Sequence, residues 1–150
     1  MARRSRAREV VLQVLYQDDV NPDSKEESDG FLRRRLHSDE ELQEFAGALL
    51  AGTRDHLDEI DRLLTETAVN WTLQRMAVTD RNILRLGGYE ILFGGTPPKA
   101  AINEAVDLAK RYGSENSPQF VNGILDKLLA KRALDQGSEI GGQSTEKAGD

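Results

Sequence analysis

The chain has 150 residues, of which 38% are hydrophobic, 31% charged and 5% aromatic, with a net charge of −6 and no cysteine. This length suits a single domain, and the few aromatics and four prolines argue against a β-sandwich or β-barrel. Without cysteine the chain has no disulfide or thiolate zinc site, and no apolar run approaches the roughly 20 residues of a membrane span. We therefore expect a soluble, cytoplasmic, helical protein.

The charge is unevenly distributed along the chain. Residues 1–8 contain four arginines and no acid, so the other 142 residues carry a net charge of −10. A basic arm on an acidic body is typical of an interaction tail. Because charges are screened beyond about 8–10 Å at physiological salt, the acidic body does not prevent the arm from binding phosphate. On charge alone, an arm that only solubilises the terminus is an equally good interpretation.

Apolar residues at helical spacing predict several helices in the first half of the chain. The first runs from Arg3 to Asp19, and a short one follows a polar loop. The short helix carries Arg33–Arg35, which we interpret as a solvated face because three adjacent arginines point in three directions. Ser38 with Glu41 has the form of a capping box, and it predicts a long helix that continues to about Ala68.

The second half contains the only tryptophan, Trp71, which we expect to plug the joint between two helical layers. A buried helix then carries Gly87–Gly88, two small residues that allow a neighbouring helix to approach closely. Two amphipathic helices follow, and Gly113 is expected to end the first of them in the left-handed conformation. Residues 135–150 contain a single large apolar residue, so they predict a disordered tail.

Catalytic constellations are not apparent in the sequence. His37 and His56 lie on segments without matching ligand spacing, which argues against a zinc site or a nucleophile–base pair. Gly94–Gly95 lacks the lysine of a phosphate-binding loop. We expect no enzyme activity, no cofactor and no metal.

Several separate blocks, in a fixed order, resemble the NusB family of bacterial antitermination factors, which bind RNA and a ribosomal protein. The blocks lie at 6–9, 13–16, 80–86, 89–92, 102–110 and 120–126, and they include the runs DRNILRL, INEAVDLAK and FVNGILD. The resemblance is strong over 3–16 and 71–126, vague over 17–70 and absent after about 134.

This resemblance implies an all-α fold of about seven helices in two packed subbundles. Residues 1–134 would form an RNA-binding domain whose residues 1–8 are a flexible arginine-rich arm. The implied function is transcription antitermination without chemistry. The chain would bind single-stranded boxA-type RNA of ribosomal-RNA transcripts jointly with the small-subunit ribosomal protein NusE, and would act on RNA polymerase with other Nus factors.

The resemblance also places an RNA face on the first helix and on the corner between the last two helices. The candidate residues are phosphate-binding arginines, two aromatic rings for base stacking and three polar groups for base edges: Arg3, Arg4, Arg6 and Arg8; Tyr16 and Phe120; Gln13, Asn116 and Ser117. Asp80 and Glu90 are the candidates for contact with the partner protein. We assign structural roles to four further motif residues: Asn103 and Asn122 are expected to satisfy backbone groups between helices, Gly123 to let two helices touch, and Glu104 to be structural as well.

Two alternatives remain open at the level of the sequence. The first is an RNA-guiding module of an enzyme, because the same helical domain forms the N-terminal part of ribosomal-RNA cytosine methyltransferases. A chain that ends at residue 150, however, leaves no room for a methyl-donor-binding domain. A helical protein-interaction scaffold that binds no RNA, with a solubilising arm, is the other. Titration of a labelled short RNA, with and without the ribosomal protein, separates these hypotheses.

Overall fold

The computed structural model describes residues 3–23 and 28–147, with side-chain surroundings as far as residue 135. Within these ranges the regular structure is entirely helical, which confirms the all-α prediction. A short 3-10 helix at Leu73–Arg75 accompanies seven α-helices: α1 (Arg3–Val20), α2 (Ser28–Arg35), α3 (Glu40–Asp55), α4 (Leu57–Thr67), α5 (Val78–Leu92), α6 (Pro98–Tyr112) and α7 (Ser117–Lys147). Among them, no helix is long and apolar enough to cross a membrane.

The helices form two subbundles, as predicted. The first contains α1, α2 and α3, and the second contains α4 to α7. Helix α5 belongs to the second subbundle but also packs on α1 and α3. One cluster of buried aliphatic side chains runs through both, with Leu50, Ile60, Ile83 and Leu125 at most 2% exposed. The two subbundles therefore share one hydrophobic core.

The helix predicted from Ser38 to Ala68 is in fact two helices, which meet at His56. Asp39, not Ser38, caps α3, because its carboxylate accepts a hydrogen bond from the Leu42 amide at 3.0 Å. Gly52 lies one turn before the break. A Cβ atom at this position would lie 2.2 Å from the ring of Tyr89, so glycine provides the space that α5 needs against α3.

Close packing also explains the two adjacent glycines of α5. A Cβ atom on Gly87 would lie 2.8 Å from Leu125, and one on Gly88 would lie 3.3 Å from Ile60, as expected for closely approaching helices. The prediction of a left-handed Gly113 is wrong, since its φ is −90°. Glycine is needed there because a Cβ atom would lie 2.5 Å from Ser117, across the corner between α6 and α7.

The structure bears differently on the two ends of the predicted domain. Residues 3–8 are the first turns of α1 and not a flexible arm, and Ala7 and Arg8 are already buried; residues 1–2 lie outside the described chain. The backbone of α7 is helical to Lys147. Side chains 136–147 and all of residues 148–150 lie outside the described part, and disorder of 135–150 stays a prediction.

Candidate nucleic-acid interface

The geometry of α1 separates the arginines that the sequence places together. Residues three and four apart share a helix face, so Arg6, Glu9, Gln13 and Tyr16 form one stripe. Tyr16 is 41% exposed at the end of this stripe. Arg4 follows a different direction, because residues two apart on a helix point to nearly opposite sides. Helix α1 thus contributes Arg6 to the face that carries Gln13 and Tyr16, and Arg3, one turn earlier, lies at the end of the same face.

Further arginines reach the same face from two other helices. Arg35, the last residue of α2, donates from Nη1 to the side-chain oxygen of Gln13 at 2.7 Å. Arg6 donates from Nη2 to the backbone carbonyl of Arg35 at 3.4 Å. Arg111, in the last turn of α6, forms an ion pair with Glu9. We call Arg6, Arg35 and Arg111 the arginine surface; they line a cleft of about 510 Å³ together with Arg3.

Tyr112 adds an aromatic ring to this surface. Its hydroxyl donates to Glu9 at 2.9 Å, and the residue is 43% exposed. Burial and the Glu9 carboxylate raise the pKa of Tyr112 above its usual value, so the phenol keeps the proton that it donates. Glu9 therefore holds Arg111 and Tyr112 in place. Guanidinium groups beside exposed ring faces are the parts that bind single-stranded nucleic acid.

Arg8 and Glu90 do not lie at an interface at all. Arg8 donates from Nε and Nη2 to the two carboxylate oxygens of Glu90, at 2.9 and 2.7 Å. Glu104 approaches the same guanidinium at 3.6 Å, so the structural role assigned to it holds. Arg8 is 4% exposed and Glu90 1%. The predictions that Arg8 binds phosphate and that Glu90 binds a partner protein are therefore wrong, because the bidentate pair is removed from solvent.

Arg3 and Arg4 are both exposed but occupy different places. Arg3 pairs with Asp39 and approaches Glu41 at 3.9 Å. The guanidinium of Arg4 lies 4.5 Å from the ring centroid of Phe45 on α3, a cation–π geometry. Arg3 borders the arginine surface, whereas Arg4 lies on the other side of α1. With Arg8 buried as well, the four arginines cannot bind phosphates together on one surface, contrary to the prediction from the sequence.

The corner between α6 and α7 carries the remaining RNA candidates. Asn116 is exposed. Ser117 is 2% exposed and accepts a hydrogen bond from the Ser114 amide at 2.9 Å, so it closes the corner and the prediction that it contacts bases is wrong. Phe120 is half-buried and packs edge-to-face with Trp71, with ring centroids 5.3 Å apart. Trp71 itself is 55% exposed, so it does not plug an interhelical joint as predicted.

Three residues assigned to interhelical packing are instead on the surface. Asn103, Asn122 and Gly123 are exposed, and a Cβ atom on Gly123 would meet no atom within 4 Å. The predicted interhelical roles are therefore wrong. Asn122 and Gly123 lie on the outer side of α7, close in sequence to Phe120.

Asp19 connects the face of α1 with the start of α5. Its carboxylate accepts hydrogen bonds from Arg81, Asn82 and Arg85, at 2.8, 2.9 and 3.1 Å. Burial alone would raise the pKa of Asp19, but these donors and the two arginine charges outweigh it, and the pKa lies below its ordinary value. Asp80, in the first turn of α5, is half-buried, and its Oδ1 is buried without a hydrogen-bond partner among the described residues.

Sequence reasoning missed Arg35, Arg111 and Tyr112. The triplet that contains Arg35 was visible but was interpreted as a solvated face, and Arg111–Tyr112 directly precede the Gly113 break. Nothing in a single sequence indicates that these residues meet Glu9 and Gln13.

The fold is that of a small helical protein, and this face is its candidate nucleic-acid-binding surface. No group of three or more potential metal ligands occurs among the described residues. The NusB family model matches residues 5–130, and the chain belongs to the NusB family. This confirms the predicted family, and because the family is one of antitermination factors and not of enzymes, it also confirms the prediction of a non-catalytic protein.

Individual relatives agree with this assignment. The transcription antitermination protein NusB of Trichlorobacter lovleyi is 42% identical over 131 residues, which cover 87% of this chain and 92% of the relative. NusB of T. maritima has a TM-score of 0.77 at 39% identity, covering 87% of this chain and 92% of that one. A crystal structure of the antitermination factors NusB and NusE in complex with double-stranded RNA contains a chain with a TM-score of 0.76 at 28% identity, covering 87% and 98%.

Proposed function

We propose that this chain binds single-stranded boxA-type RNA through the arginine surface and acts with NusE in transcription antitermination. The observation that carries the proposal is the convergence of Arg6, Arg35 and Arg111 from three helices beside the exposed rings of Tyr16 and Tyr112. The names of the relatives support antitermination, and the NusB–NusE–RNA complex of a structural relative supports the partners. Action in the cytoplasm, on ribosomal-RNA transcripts and with other Nus factors at RNA polymerase, is part of the proposal.

The exposed rings favour an RNA whose bases are unpaired. Bases inside a double helix are stacked on their neighbours, and an RNA duplex is recognised mainly through its phosphates and 2′-hydroxyls. Arginine contacts alone would suit either form, but Tyr16, Tyr112 and Phe120 can contact bases only where these are unstacked. A duplex of the same sequence should therefore bind more weakly than the single strand.

The function requires two surfaces and no chemical step. RNA would lie on the arginine surface, and NusE would contact the region around Asp80, at the start of α5. The Asp19 network joins the two regions rigidly, because it links α1 to Arg81, Asn82 and Arg85 of α5. Two weak contacts held in one complex raise each other's effective concentration, so the joint affinity exceeds that of either contact alone.

Replacement of single arginines tests the RNA surface. Three phosphate contacts on a single strand imply a log–log salt slope of about −2, from roughly −0.7 per contact. Arg35→Ala and Arg111→Ala should each weaken binding and flatten the slope by about 0.7. Arg62→Ala is the matched control, since Arg62 is an exposed arginine on α4 with a 60% exposed side chain that pairs with Glu66. The measurement is fluorescence anisotropy of a labelled boxA-type RNA, with and without NusE.

Two results would contradict the proposal. If Arg62→Ala weakens binding as much as Arg35→Ala, the attraction is a property of net charge and not of the arginine surface. If the wild-type chain binds no RNA in the presence or absence of NusE, the helical scaffold without RNA is the correct interpretation.

A further inference from the structure

Trp71 is the only tryptophan of the chain, and it lies on the surface. It is 55% exposed in the segment between α4 and α5, next to Val69, which is 82% exposed. Large exposed apolar side chains are informative when they cluster, because such surface is usually covered by a binding partner.

The segment does not need the indole to hold its shape. The backbone amide of Trp71 donates to the Ala68 carbonyl at 3.2 Å, and that of Arg75 donates to Thr72 at 3.0 Å. Leu73 and Met76, at 8% and 6% exposure, anchor the following residues in the core. The exposed part of the indole is therefore available for a contact outside the molecule.

The position of Trp71 relates it to the proposed RNA surface. Its ring meets that of Phe120 at 74°, with centroids 5.3 Å apart. In an edge-to-face pair, the ring that presents its edge keeps both faces clear of its partner, and the other ring keeps one face clear. Phe120 is in the first turn of α7, where its backbone amide donates to the Asn116 carbonyl at 3.1 Å, and Arg111 and Tyr112 end α6 at the same corner. The Trp71–Phe120 pair therefore lies at the first turn of α7, just after the corner at which α6 ends with Arg111 of the arginine surface.

We propose that Trp71 is a base-stacking residue, which takes an unpaired base of the bound RNA on its indole face while Phe120 supports the ring from the side. The inference rests on the proposed function and adds a specificity element to it, since phosphate contacts do not distinguish sequences. Indole offers a broad aromatic face, and base–aromatic stacking does not require paired bases. The ligand class is an unstacked nucleobase within a single-stranded RNA.

The fluorescence of the sole tryptophan tests this directly, because an indole in contact with a stacked base is quenched. The full-length chain is titrated with a short single-stranded boxA-type RNA in the presence of NusE lacking tryptophan, while anisotropy of the labelled RNA reports binding independently. We expect quenching that follows the anisotropy curve. An RNA of the same length with abasic nucleotides should bind through its phosphates without quenching the indole.

Variants then measure the contribution of the ring. Trp71→Ala should weaken binding about tenfold, in line with the loss of one base stack, and Trp71→Phe should retain most of the affinity. Val69→Ala is the matched control, because it removes a neighbouring exposed apolar side chain and should change nothing.

The outcomes separate this inference from the proposed function. If anisotropy shows binding but the indole is not quenched, or if the abasic RNA quenches it equally, Trp71 does not stack on a base. Unchanged affinity of Trp71→Ala would overturn the inference in the same way and would leave the arginine surface intact. If no RNA binds the wild-type chain, the proposed function fails and this inference fails with it.

Discussion

At the scale of single residues, the surroundings decide what an arginine does. Arg8 and Arg6 are two residues apart, yet Arg8 is buried against Glu90 and Arg6 lies on the open face of α1. A buried guanidinium needs a counter-charge with good geometry, because its transfer out of water is otherwise strongly unfavourable. The bidentate contact with Glu90 meets that requirement and joins α1 to α5.

We expect Glu90→Gln to destabilise the fold by about 3 kcal/mol, since it removes one partner of a buried ion pair. The remaining approach of Glu104, at 3.6 Å from the Arg8 guanidinium, should keep the loss near the lower end of the usual range. Urea unfolding of both forms gives the difference in free energy.

Glu66→Gln is the control for this experiment, because Glu66 forms only exposed ion pairs with Arg62 and Lys131. It should change the free energy of unfolding by less than about 1 kcal/mol. Equal effects of the two substitutions would show that the Arg8–Glu90 pair does not stabilise the fold.

At the scale of helices, two glycines in the same helical conformation differ in whether a larger residue could replace them. Gly52 in α3 faces the ring of Tyr89, while Gly123 in α7 faces open space. Glycine inside a helix is less favourable than alanine by about 1 kcal/mol, mainly through backbone entropy. The difference between the two sites therefore lies in the neighbouring helix and not in the backbone.

Gly123→Ala should stabilise the protein by about 1 kcal/mol, because the added methyl group meets no atom and the helix gains propensity. Gly52→Ala should destabilise it, since the Tyr89 ring would have to move from a position 2.2 Å from the new Cβ atom. Thermal melting of the two variants provides the measurement. A lower melting temperature for Gly123→Ala would mean that this face of α7 is covered in solution.

At the scale of the whole molecule, α5 is the element that both subbundles share. It packs on α1 and α3 as well as on α4, α6 and α7. Its first turn carries Asp80, and the next residues anchor Asp19 at the end of α1. A partner bound at the start of α5 would therefore lie beside the helix that bears part of the RNA face, without occupying it.

We propose Asp80 as a contact for NusE, and Asp80→Lys should weaken NusE binding while leaving the affinity for RNA alone unchanged. The structural reason is its place in the first turn of α5, where the half-buried side chain still reaches the surface. Isothermal titration with NusE and anisotropy with RNA measure the two contacts separately.

Asp58→Lys, a reversal at an exposed acid of α4, is the control for this pair of measurements. If Asp80→Lys lowers the affinity for RNA alone as much as that for NusE, the two surfaces are not separate and the two-surface proposal is wrong.

The sequence by itself determined the helical fold and the family to which the chain belongs. Apolar residues three and four positions apart lie on the same face of a helix, so their spacing identifies the face that is buried. The residues that show this pattern in α6 are indeed buried: Ala101, Ile102, Ala105 and Leu108. The ordered blocks around 80–86, 102–110 and 120–126 were enough to identify the family that the comparison with known proteins confirms.

Only the tertiary structure decided which polar and aromatic residues are available to a ligand. In the sequence, nothing distinguishes Arg8 and Glu90 from exposed charged residues, yet they lie 82 positions apart and form a buried ion pair. Glu9 likewise contacts Arg111 and Tyr112, which are more than 100 positions away. Trp71 was expected in the core and lies outside it. Helical periodicity specifies which face of a helix is buried, but the exposure and pairing of a charged or aromatic side chain depend on neighbours that only the packing of distant helices brings together.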